Sequence, residues 1–593
     1  VDVSQLRRHV QLGADIQSGQ GALRVWTDFE NGQWTGGAVD TDLTDLSIRF
    51  DPQYPPLAFD HLSGRLATKV RPTGFELSTR QLSFVSAQGL RWPGGNLALS
   101  YTHEQAPTRQ AAQGRIQADH LDLQALRDLS LRLPLSEALH QQLQAHPVSG
   151  QVEALQMSWQ GPWQQPQNYE AQVHVHDLNL PSHASGWPGV QGAQVQLKMN
   201  QTGGQVQLDM GEGGAVILPG ILEEPSVPID SLHAQLRWQR KDGRWDVPQW
   251  SLQLNNPDLQ GQWQGQWHAS PQGTGLGVLD LQGQVSQAQA ARVHRYLPTV
   301  LPASVRQYVR EAIVKGSYSG VQIKIKGEID RIPFAHPQEG VFRFAGRLND
   351  VEFDYMPASL LPRGSTAWPR LHGVSGLLVF DRQGMKLSDA KARVGDAKTG
   401  LQLQAIQAQI PDMAQQAVLD VSAENKGPAT QVLGLVQKSP IDKLLGSALH
   451  DAQASGHVQT RFKLNIPLLA AHNTKVQGTV VLGGNDLRMT AAIPAFEKAQ
   501  GSVQFSESGF NLSGVQARWL GGPVRIEGGM KASNANEATV TLRAQGEVTA
   551  EGLRLAREFQ PLDVLARQLS GSTTYTAQLA WRQGQPELSI QSQ

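Results

Sequence analysis

Short runs of alternating apolar and polar residues, most of them opening at a glycine, recur along the chain and limit its possible folds. In "GVQIKIKGEID", Val321, Ile323 and Ile325 alternate with one glutamine and two lysines, and in "AQVHVHDLNL" Val173 and Val175 alternate with histidines. The same pattern continues in "GAQVQLKMN", "GQVQLDM", "GLQLQAIQAQI" and "GSVQFSESG". Because successive side chains of a strand point to opposite faces, this period predicts strands with one apolar and one wet face. Glycine-containing turns between the runs favour an antiparallel, mainly β fold. A parallel α/β fold is disfavoured because too few helical segments are available as crossovers.

Several segments combine two such runs into a predicted β-hairpin. The clearest are "FDHLSGRLATKVRPTGFELS", "LHGVSGLLVFDRQGMKLSDA" and "FEKAQGSVQFSESGFNLSGV". We interpret the glycine pairs Gly64/Gly74, Gly376/Gly384 and Gly501/Gly509 as marking the start and the turn of each hairpin. Hairpins that follow one another along the chain predict a long sheet rather than compact domains.

A few helical segments interrupt the strands. Apolar residues recur at helical spacing at Val305, Tyr308, Val309, Ala312 and Ile313. Pro302 suits the first turn of this helix, and Gly316 is the predicted stop signal. Leu139 and Leu143, with Ser136 as N-cap, predict a second helix, and the apolar residues between Ile441 and Leu449 predict a third.

A Ser-Gly dipeptide lies between a segment with helical apolar spacing and the strand that follows at five places in the chain, including those after the three helices above. These dipeptides are Ser18-Gly19, Ser149-Gly150, Ser319-Gly320, Ser455-Gly456 and Ser570-Gly571. Five such units indicate an internal repeat of supersecondary structure. We therefore divide the chain into a β-groove module at 1–118, three modules of a helix plus a β-groove at 119–290, 291–424 and 425–550, and the truncated start of a further module at 551–593.

Composition and charge exclude several classes of function. The 593 residues carry 51 Lys and Arg against 52 Asp and Glu, so no basic excess suggests nucleic acid. Cysteine is absent, which excludes disulfides and thiolate catalysis. The sequence contains no run of about 18 apolar residues, the length that would predict a membrane-spanning helix. Its N-terminus lacks the apolar core of a signal peptide. The repeat favours a fragment of a longer protein.

The sequence contains no catalytic signature, and we expect neither an enzyme nor a cofactor. His174, His176 and His183 could hold a metal, but imidazoles on the wet side of a strand explain them without one. The Ser-x-x-Lys pattern at Ser388 lacks the partner motifs of penicillin-recognising enzymes, and the glycines from Gly273 lead into a strand rather than a helix. Trp263 and Trp267 favour a core or groove position over a carbohydrate platform.

Several segments resemble the AsmA-like superfamily of Gram-negative envelope proteins, and most closely its YhdP branch. They are "YLPTVLPASVRQYVREAIVKGSYSGVQIKIKGEIDRIPF", "WPRLHGVSGLLVFDRQGMKL", "SGHVQTRFKLNIPLL", "VQGTVVLGGNDLRM", "FEKAQGSVQFSESG" and "WLGGPVRIEGG". The resemblance implies an elongated, curled antiparallel sheet with a U-shaped apolar groove in the periplasm, anchored to the inner membrane by a segment absent here. It also implies movement of phospholipid from the inner to the outer membrane.

A sheet that is apolar on one face must hide that face from water or bind hydrocarbon along it. We expect a continuous groove for phospholipid acyl chains, lined by Val173, Val175, Val195, Leu197, Val321, Ile323, Ile325, Phe342, Phe344, Val503 and Phe505. The predicted helices either shield the ends of this groove or pack on the sheet as ordinary core. An alternative function is an envelope assembly scaffold that binds client β-strands by edge addition. Lipid species, transport direction, protein partners and oligomeric state are not determined by the sequence.

Overall fold

Strands make up most of the chain in the computed structural model. It describes all residues except 1, 9–13, 105–110, 135–136, 146, 163–164, 184–186, 271–272, 362–363, 365–366, 416, 445–446, 448, 469, 471–472, 533–537, 560–565, 583–584 and 593. The chain divides into two units, which are described separately. Unit 1 comprises Val1–Gly283, Leu297–Val300 and Glu328–Asp330, and unit 2 comprises Gln284–Tyr296, Leu301–Gly327 and Arg331–Gln593.

Unit 1 is an antiparallel sheet in which strands that follow one another along the chain pair side by side. Its strands are β1 (Asp15–Glu30), β2 (Gln33–Arg49), β3 (Leu57–Arg71), β4 (Gly74–Ser86), β5 (Arg91–Thr102), β6 (Gln113–Ala118), β7 (Leu121–Asp122), β8 (Ser149–Gln160), β9 (Asn168–Leu180), β10 (Gly189–Asn200), β11 (Gly203–Ile217), β12 (Ser226–Ile229), β13 (Ser231–Lys241), β14 (Arg244–Asn255) and β15 (Leu259–His268). The short strands β7 and β12 lie beside β8 and β11. The next strand, β16 (Val278–Gln289), contributes residues to both units.

Unit 2 repeats this arrangement. Its strands are β17 (Ile313–Glu328), β18 (Gly340–Phe353), β19 (Leu371–Asp381), β20 (Gly384–Val394), β21 (Leu401–Ile410), β22 (Val418–Pro428), β23 (Gln453–Ala454), β24 (His457–Pro467), β25 (Lys475–Arg488), β26 (Phe496–Ser506), β27 (Gly509–Trp519), β28 (Gly522–Ala532), β29 (Ala538–Thr549), β30 (Ser572–Arg582) and β31 (Gln585–Ser592). The pairings between described strands of this unit are antiparallel. The prediction of an antiparallel, mainly β chain built from repeated hairpins with a few short helices is confirmed.

Short helices take the place of hairpin turns between neighbouring strands. The α-helices are α1 (Leu123–Ser130), α2 (Glu137–Ala145), α3 (Ala303–Ala312), α4 (Ala429–Gln437), α5 (Ile441–Leu444) and α6 (Ala550–Leu555), and 3₁₀ helices occupy Val3–Arg8, Ala290–Tyr296, Ile329–Arg331, Ala358–Leu360 and Arg557–Phe559. The chain leaves β6 through α1 and α2 and returns as β8, which pairs with β6. In the same way, α4 and α5 connect the paired strands β22 and β24, and α6 connects β29 and β30. The five-module division stays a prediction.

The helix predictions were right in position and inexact in length. α3 ends at Ala312, and Ile313 begins β17, so Gly316 does not stop the helix but lies inside the strand at φ 114°. The reason is packing: a Cβ on Gly316 would lie 2.5 Å from the Cα of Val351 on the paired strand β18. The predicted helix from Ile441 is helical only to Leu444 in its described part. Ser136 lies outside the described residues, while the helix that it was expected to cap is α2.

Glycines inside the strands mark bulges rather than strand starts. Gly74, Gly384 and Gly509 open their strands as predicted, but Gly64, Gly376 and Gly501 lie mid-strand. At each of these three positions the pairing register shifts, namely between Ser63/Arg65, Ser375/Leu377 and Gln500/Ser502. In each case the partner strand carries the extra residue, and the glycine lies opposite the bulge. A bulge bends the strand that carries it, so the sheet of each unit curves beside these glycines.

Each unit buries part of its apolar surface in clusters beside the helices. In unit 1, Val3 of the first 3₁₀ helix and Ala125 of α1 join buried residues of β2 to β9, including Phe84, Trp92 and Val152. The Asp122 side chain caps α1 by accepting a hydrogen bond from the Ala125 backbone N–H at 2.7 Å. Unit 2 contains one cluster along β18 to β22 and another along β24 to β30.

Candidate functional site

One row of apolar side chains crosses every long strand of unit 1. Residues that pair directly across an antiparallel ladder point to the same face. Following the pairs from β1 to β15 gives a row of Val25, Val39, Leu66, Thr79, Leu97, Ala118, Leu155, Val173, Leu197, Val206, Leu236, Trp250 and Gly265. We call these residues the unit 1 row, and the side of the sheet that carries them the apolar face.

A second row runs beside the first on the same face. It consists of Thr27, Gly37, Thr68, Leu77, Leu99, Ile116, Met157, Ala171, Met199, Gly204 and Trp238. Neither row contains a charged residue. The apolar face is therefore continuous both across the strands and along them.

The opposite face of the same strands is polar. One ladder on it contains Ala98, Gln117, Gln156, Gln172, Lys198, Gln205, Arg237 and Gln249. Carboxylates pair with histidines on this face: Asp209 contacts His233, and His176 lies 2.8 Å from Glu153. Partial burial of Asp209 raises its pKa, but hydrogen bonds from His233 and Gln207 outweigh that effect and lower it. These carboxylate–histidine pairs lie on the side of the sheet away from the two rows.

The unit 1 row is only partly buried. Leu155, Val173 and Leu197 are half-buried, Leu236 is 37% exposed and Val25 is 52% exposed. Core residues under a second layer reach the few per cent seen in the helix-side cluster. Thr79 and Ala118, each 8% exposed, are the exceptions, and at the other positions of the row protein atoms leave the side chains partly uncovered.

The apolar face is closed at one end of the strands and open at the other. At the helix-side end, Val175 is 7% exposed and belongs to the buried cluster, against which Val173 and Val195 pack. At the end where β1 turns into β2, β3 into β4 and β13 into β14, aromatic residues stand on the apolar face. We call them the rim: Phe75, Tyr101, Trp159, Tyr169, Trp238, Trp245 and Trp267. Phe75 is 38% exposed and Trp245 is 50% exposed.

Several aromatic rings of the apolar face occupy the space beside a glycine of the neighbouring strand. A Cβ placed on Gly114 would lie 2.0 Å from the Trp159 ring, and one on Gly204 would lie 2.5 Å from the Trp238 ring. Trp250 covers Gly265 in the same way, at 2.9 Å. Because the glycines leave room below the rings, large side chains stay level with their aliphatic neighbours. Two depressions of about 210 and 170 Å³ lie on this face. The first is lined by Val39 and Leu66, and the second lies between Leu97 and the α1 residues Leu126 and Leu129.

Unit 2 carries its own apolar rows. Ile323, Phe344, Phe380, Met385 and Ile410 form one across β17 to β21, and Val480, Val503, Leu512, Gly528, Leu542 and Leu579 form another across β25 to β30. Tyr318 lies on the same side as Leu348, and burial raises the pKa of its hydroxyl. As in unit 1, the neighbouring polar residues Gln322, Lys324 and Lys326 are exposed on the other face.

The predicted lining residues occupy apolar faces in three groups. Val173, Val175, Val195 and Leu197 pair with one another on β9 and β10. On β17 and β18, Ile323 pairs with Phe344 and Ile325 with Phe342. Val321 lies beside Gly346, where a Cβ built on the glycine would be 2.7 Å from the Cγ2 of Val321. Val503 pairs with Val480, and the Phe505 ring covers Gly478. Their role as a lipid lining stays a prediction.

Sequence reasoning missed most members of the rows. Leu66, Leu97, Leu155, Val206 and Leu236 are not among the predicted lining residues, although each lies in an alternating run. The signal that identifies them is the pairing register, which joins single runs into one row. Trp263 and Trp267 lie half-buried on the apolar face, opposite Leu252 and Val247.

The minor motifs hold no assembled chemistry in the described residues. His174 pairs across the sheet with Ala154 and Gln196, and among the described residues no group of three metal-ligating side chains comes together. Ser388 and Lys391 lie within strand β20. The glycines from Gly273 form a connection between β15 and β16. In the part of the chain that the structure covers, helices fall short of the length and apolarity needed to cross a bilayer.

Fold and rows together define a class: long antiparallel β-sheet proteins that keep one face polar and leave one apolar face partly uncovered. Within this class, the family model described as "YhdP protein" matches residues 1–593, and the chain belongs to the YhdP family. The resemblance to the YhdP branch of the AsmA-like superfamily is thereby confirmed.

A curated relative supports this assignment. The chain is 23% identical over 571 residues to the intermembrane phospholipid transporter YhdP of Escherichia coli (strain K12). The match covers 92% of the chain and 42% of the relative. The chain therefore spans about two fifths of the length of this relative.

Proposed function

We propose that this chain is a part of a conduit that carries phospholipid between the inner and outer membranes, with acyl chains lying on its apolar faces. The observation that carries the proposal is the unit 1 row, a band of uncharged residues that crosses every long strand of the unit and stays partly exposed except at Thr79 and Ala118. The name of the relative, an intermembrane phospholipid transporter, supports the same substrate.

Hydrocarbon fits this surface energetically. Each CH₂ group moved from water to an apolar surface gains about 0.8 kcal/mol, so an acyl chain on the row stabilises the complex and removes exposed Leu and Val surface from water. Because successive positions of the row offer similar aliphatic contacts, a lipid moves along it without a large change in free energy. Transport by this route needs no catalytic residue, and we propose that the chain is not an enzyme.

Location follows from the substrate. A conduit between two membranes lies in the periplasm, and we propose that the complete protein is anchored in the inner membrane by a part outside this chain. The wetted face, with Gln156, Gln172 and Gln205, suits an aqueous compartment. We further propose that the lipid lining includes ten of the eleven predicted residues, all except Val175, which is buried in the helix-side cluster, together with the rest of the rows.

Site-specific photo-crosslinking tests the conduit. A benzophenone amino acid replaces Leu197 on the apolar face or its neighbour Gln196, which is exposed on the polar face of the same strand. The purified chain is incubated with radiolabelled phospholipid and irradiated. We expect labelling at Leu197 and none above background at Gln196. The pair Ile323 and Gln322 repeats the comparison in unit 2.

The two faces serve as each other's control, because the paired positions are adjacent in sequence. Equal labelling at both positions, or none at Leu197 and Ile323, would refute the conduit. Crosslinking to co-expressed outer-membrane protein at positions on β1, without lipid at Leu197, would instead support the assembly scaffold.

A further inference from the structure

A basic residue, Arg240, stands at the rim of unit 1 on the apolar face. Leu236, Trp238 and Arg240 are two residues apart on β13 and therefore share a face. Arg240 also pairs directly with Trp245 on β14, which stands on the same side as Val247 and Trp267. Arg240 is exposed and lies next to the hairpin turn between β13 and β14.

The surroundings of Arg240 combine the two chemistries of an amphiphile. Trp238 lies half-buried over Gly204, Trp245 is 50% exposed, and Leu236 continues the apolar face inward. The guanidinium Nε donates to the Gly243 carbonyl at 3.3 Å, which holds the side chain over its own hairpin turn. Aromatic side chains with one apolar and one wet side are favoured where hydrocarbon meets water.

Resting on the proposed function, we infer that Arg240, between Trp238 and Trp245, binds the phosphate of a phospholipid whose acyl chain lies over Trp238 and Leu236. A planar guanidinium suits the oxygens of a phosphodiester, and its charge complements the anion. At the opposite end of β13 the apolar face is buried, with Leu232 8% exposed and its paired residue Met210 5% exposed, so the headgroup end of the lipid belongs at the rim.

Two single-chain amphiphiles of equal acyl length test this inference: a lysophosphatidylglycerol and a monoacylglycerol, which lacks the phosphate. Binding to the purified full chain is measured by calorimetry below the concentration at which either forms micelles. We expect Arg240→Gln to weaken binding of the phospholipid about tenfold and to leave the monoacylglycerol within about twofold of wild type. Arg240→Lys should retain part of the affinity, since a point charge still attracts the phosphate without the paired geometry.

Arg237→Gln is the matched control. Arg237 is exposed on the polar face of the same strand, three residues away, and its replacement removes the same charge. Equal weakening by Arg237→Gln would mean a diffuse charge effect and would overturn the subsite. So would equal loss of both amphiphiles in Arg240→Gln, or glycerol phosphate binding as tightly as the phospholipid, which would mark a free-anion site.

The failure of this inference is distinguishable from failure of the conduit. If the wild-type chain binds both amphiphiles equally and Leu197 still crosslinks to lipid, the conduit stands and the subsite at Arg240 is wrong. If the wild-type chain binds neither amphiphile, both proposals fall.

Discussion

The contact between Gly114 and Trp159 allows a test of how the apolar face is kept level. Gly114 lies on β6 opposite Trp159 on β8, and the three heavy atoms nearest to a Cβ placed on Gly114 all belong to the tryptophan ring, at 2.0 to 2.4 Å. Ordinary contact begins at 3.4 Å, so Gly114→Ala must displace the ring by more than 1 Å. The displaced ring also loses its stacking on Tyr101, where the ring centroids are 6.3 Å apart.

The magnitude follows from two opposing effects. Overpacking of this kind costs about 1–3 kcal/mol, while alanine in place of glycine in a strand recovers about 0.5–1 kcal/mol. The free energy of unfolding should therefore fall by about 1–2 kcal/mol in Gly114→Ala. The ring, pushed away from the sheet, should also lower lipid crosslinking at neighbouring Met157.

A double-mutant cycle with Trp159→Leu isolates the ring. In the Trp159→Leu background, Gly114→Ala should be neutral or slightly stabilising, because no ring remains to be displaced. Urea unfolding of the full chain, followed by circular dichroism, measures all four proteins. Equal destabilisation by Gly114→Ala in both backgrounds would refute the argument, since the cause would then be the β6 backbone.

Two further perturbations have directions fixed by the structure. Asn485 is fully buried, donates to the carbonyls of Ser455 and His457 and accepts from the Gly483 N–H, so Asn485→Ala should lower the free energy of unfolding by about 3 kcal/mol. Asn425→Ala removes one hydrogen bond to the Gln402 carbonyl and should lower it by about 1 kcal/mol. Equal losses of the two variants in urea unfolding would contradict this reasoning. Backbone N–H groups of Thr399 and Lys398 lower the pKa of Asp396 to about 2, so its stabilisation of the 396–400 loop is complete above about pH 4 and is lost as pH falls through about 2. Amide exchange at Thr399 should be faster in Asp396→Asn than in wild type at pH 5, and a gap of the same size at pH 2 would argue against the carboxylate as its cause.

Local alternation was sufficient to predict the strands, because a half-buried strand leaves its period in the sequence whatever its partners are. The helices were harder to predict from local sequence. α4, with sequence ATQVLGLVQ, contains Gly434 and several β-branched residues, which favour helix weakly, and α6 spans only Ala550–Leu555. Both occur because the chain must connect neighbouring strands at that point, and this requirement is not local.

The apolar rows could not be predicted from single strands. The alternation of their own strands predicts that Val173 and Leu197 lie on an apolar face. Their continuation into a row, with Leu155 on one side and Val206 on the other, depends on the pairing register. A shift of one residue in any ladder would place a residue of the polar face, often a glutamine, in the row. Bulges such as the one on β4 opposite Gly64 adjust the register strand by strand, and their effect becomes visible only once the strands are paired.

The uneven cover of the apolar face is itself an argument for a ligand. Leaving a Leu or Val side chain half exposed forgoes about 1 kcal/mol relative to full burial, and the unit 1 row does so on strand after strand. The chain has the means to cover such surface, as Val3 and Ala125 do at the helix-side end, where Leu46 is 2% exposed. It does not use them toward the rim, where Leu236 and Trp245 remain open. A surface that is covered at one end and open at the other, without a charge along two rows, suits a mobile apolar molecule that enters from the open side.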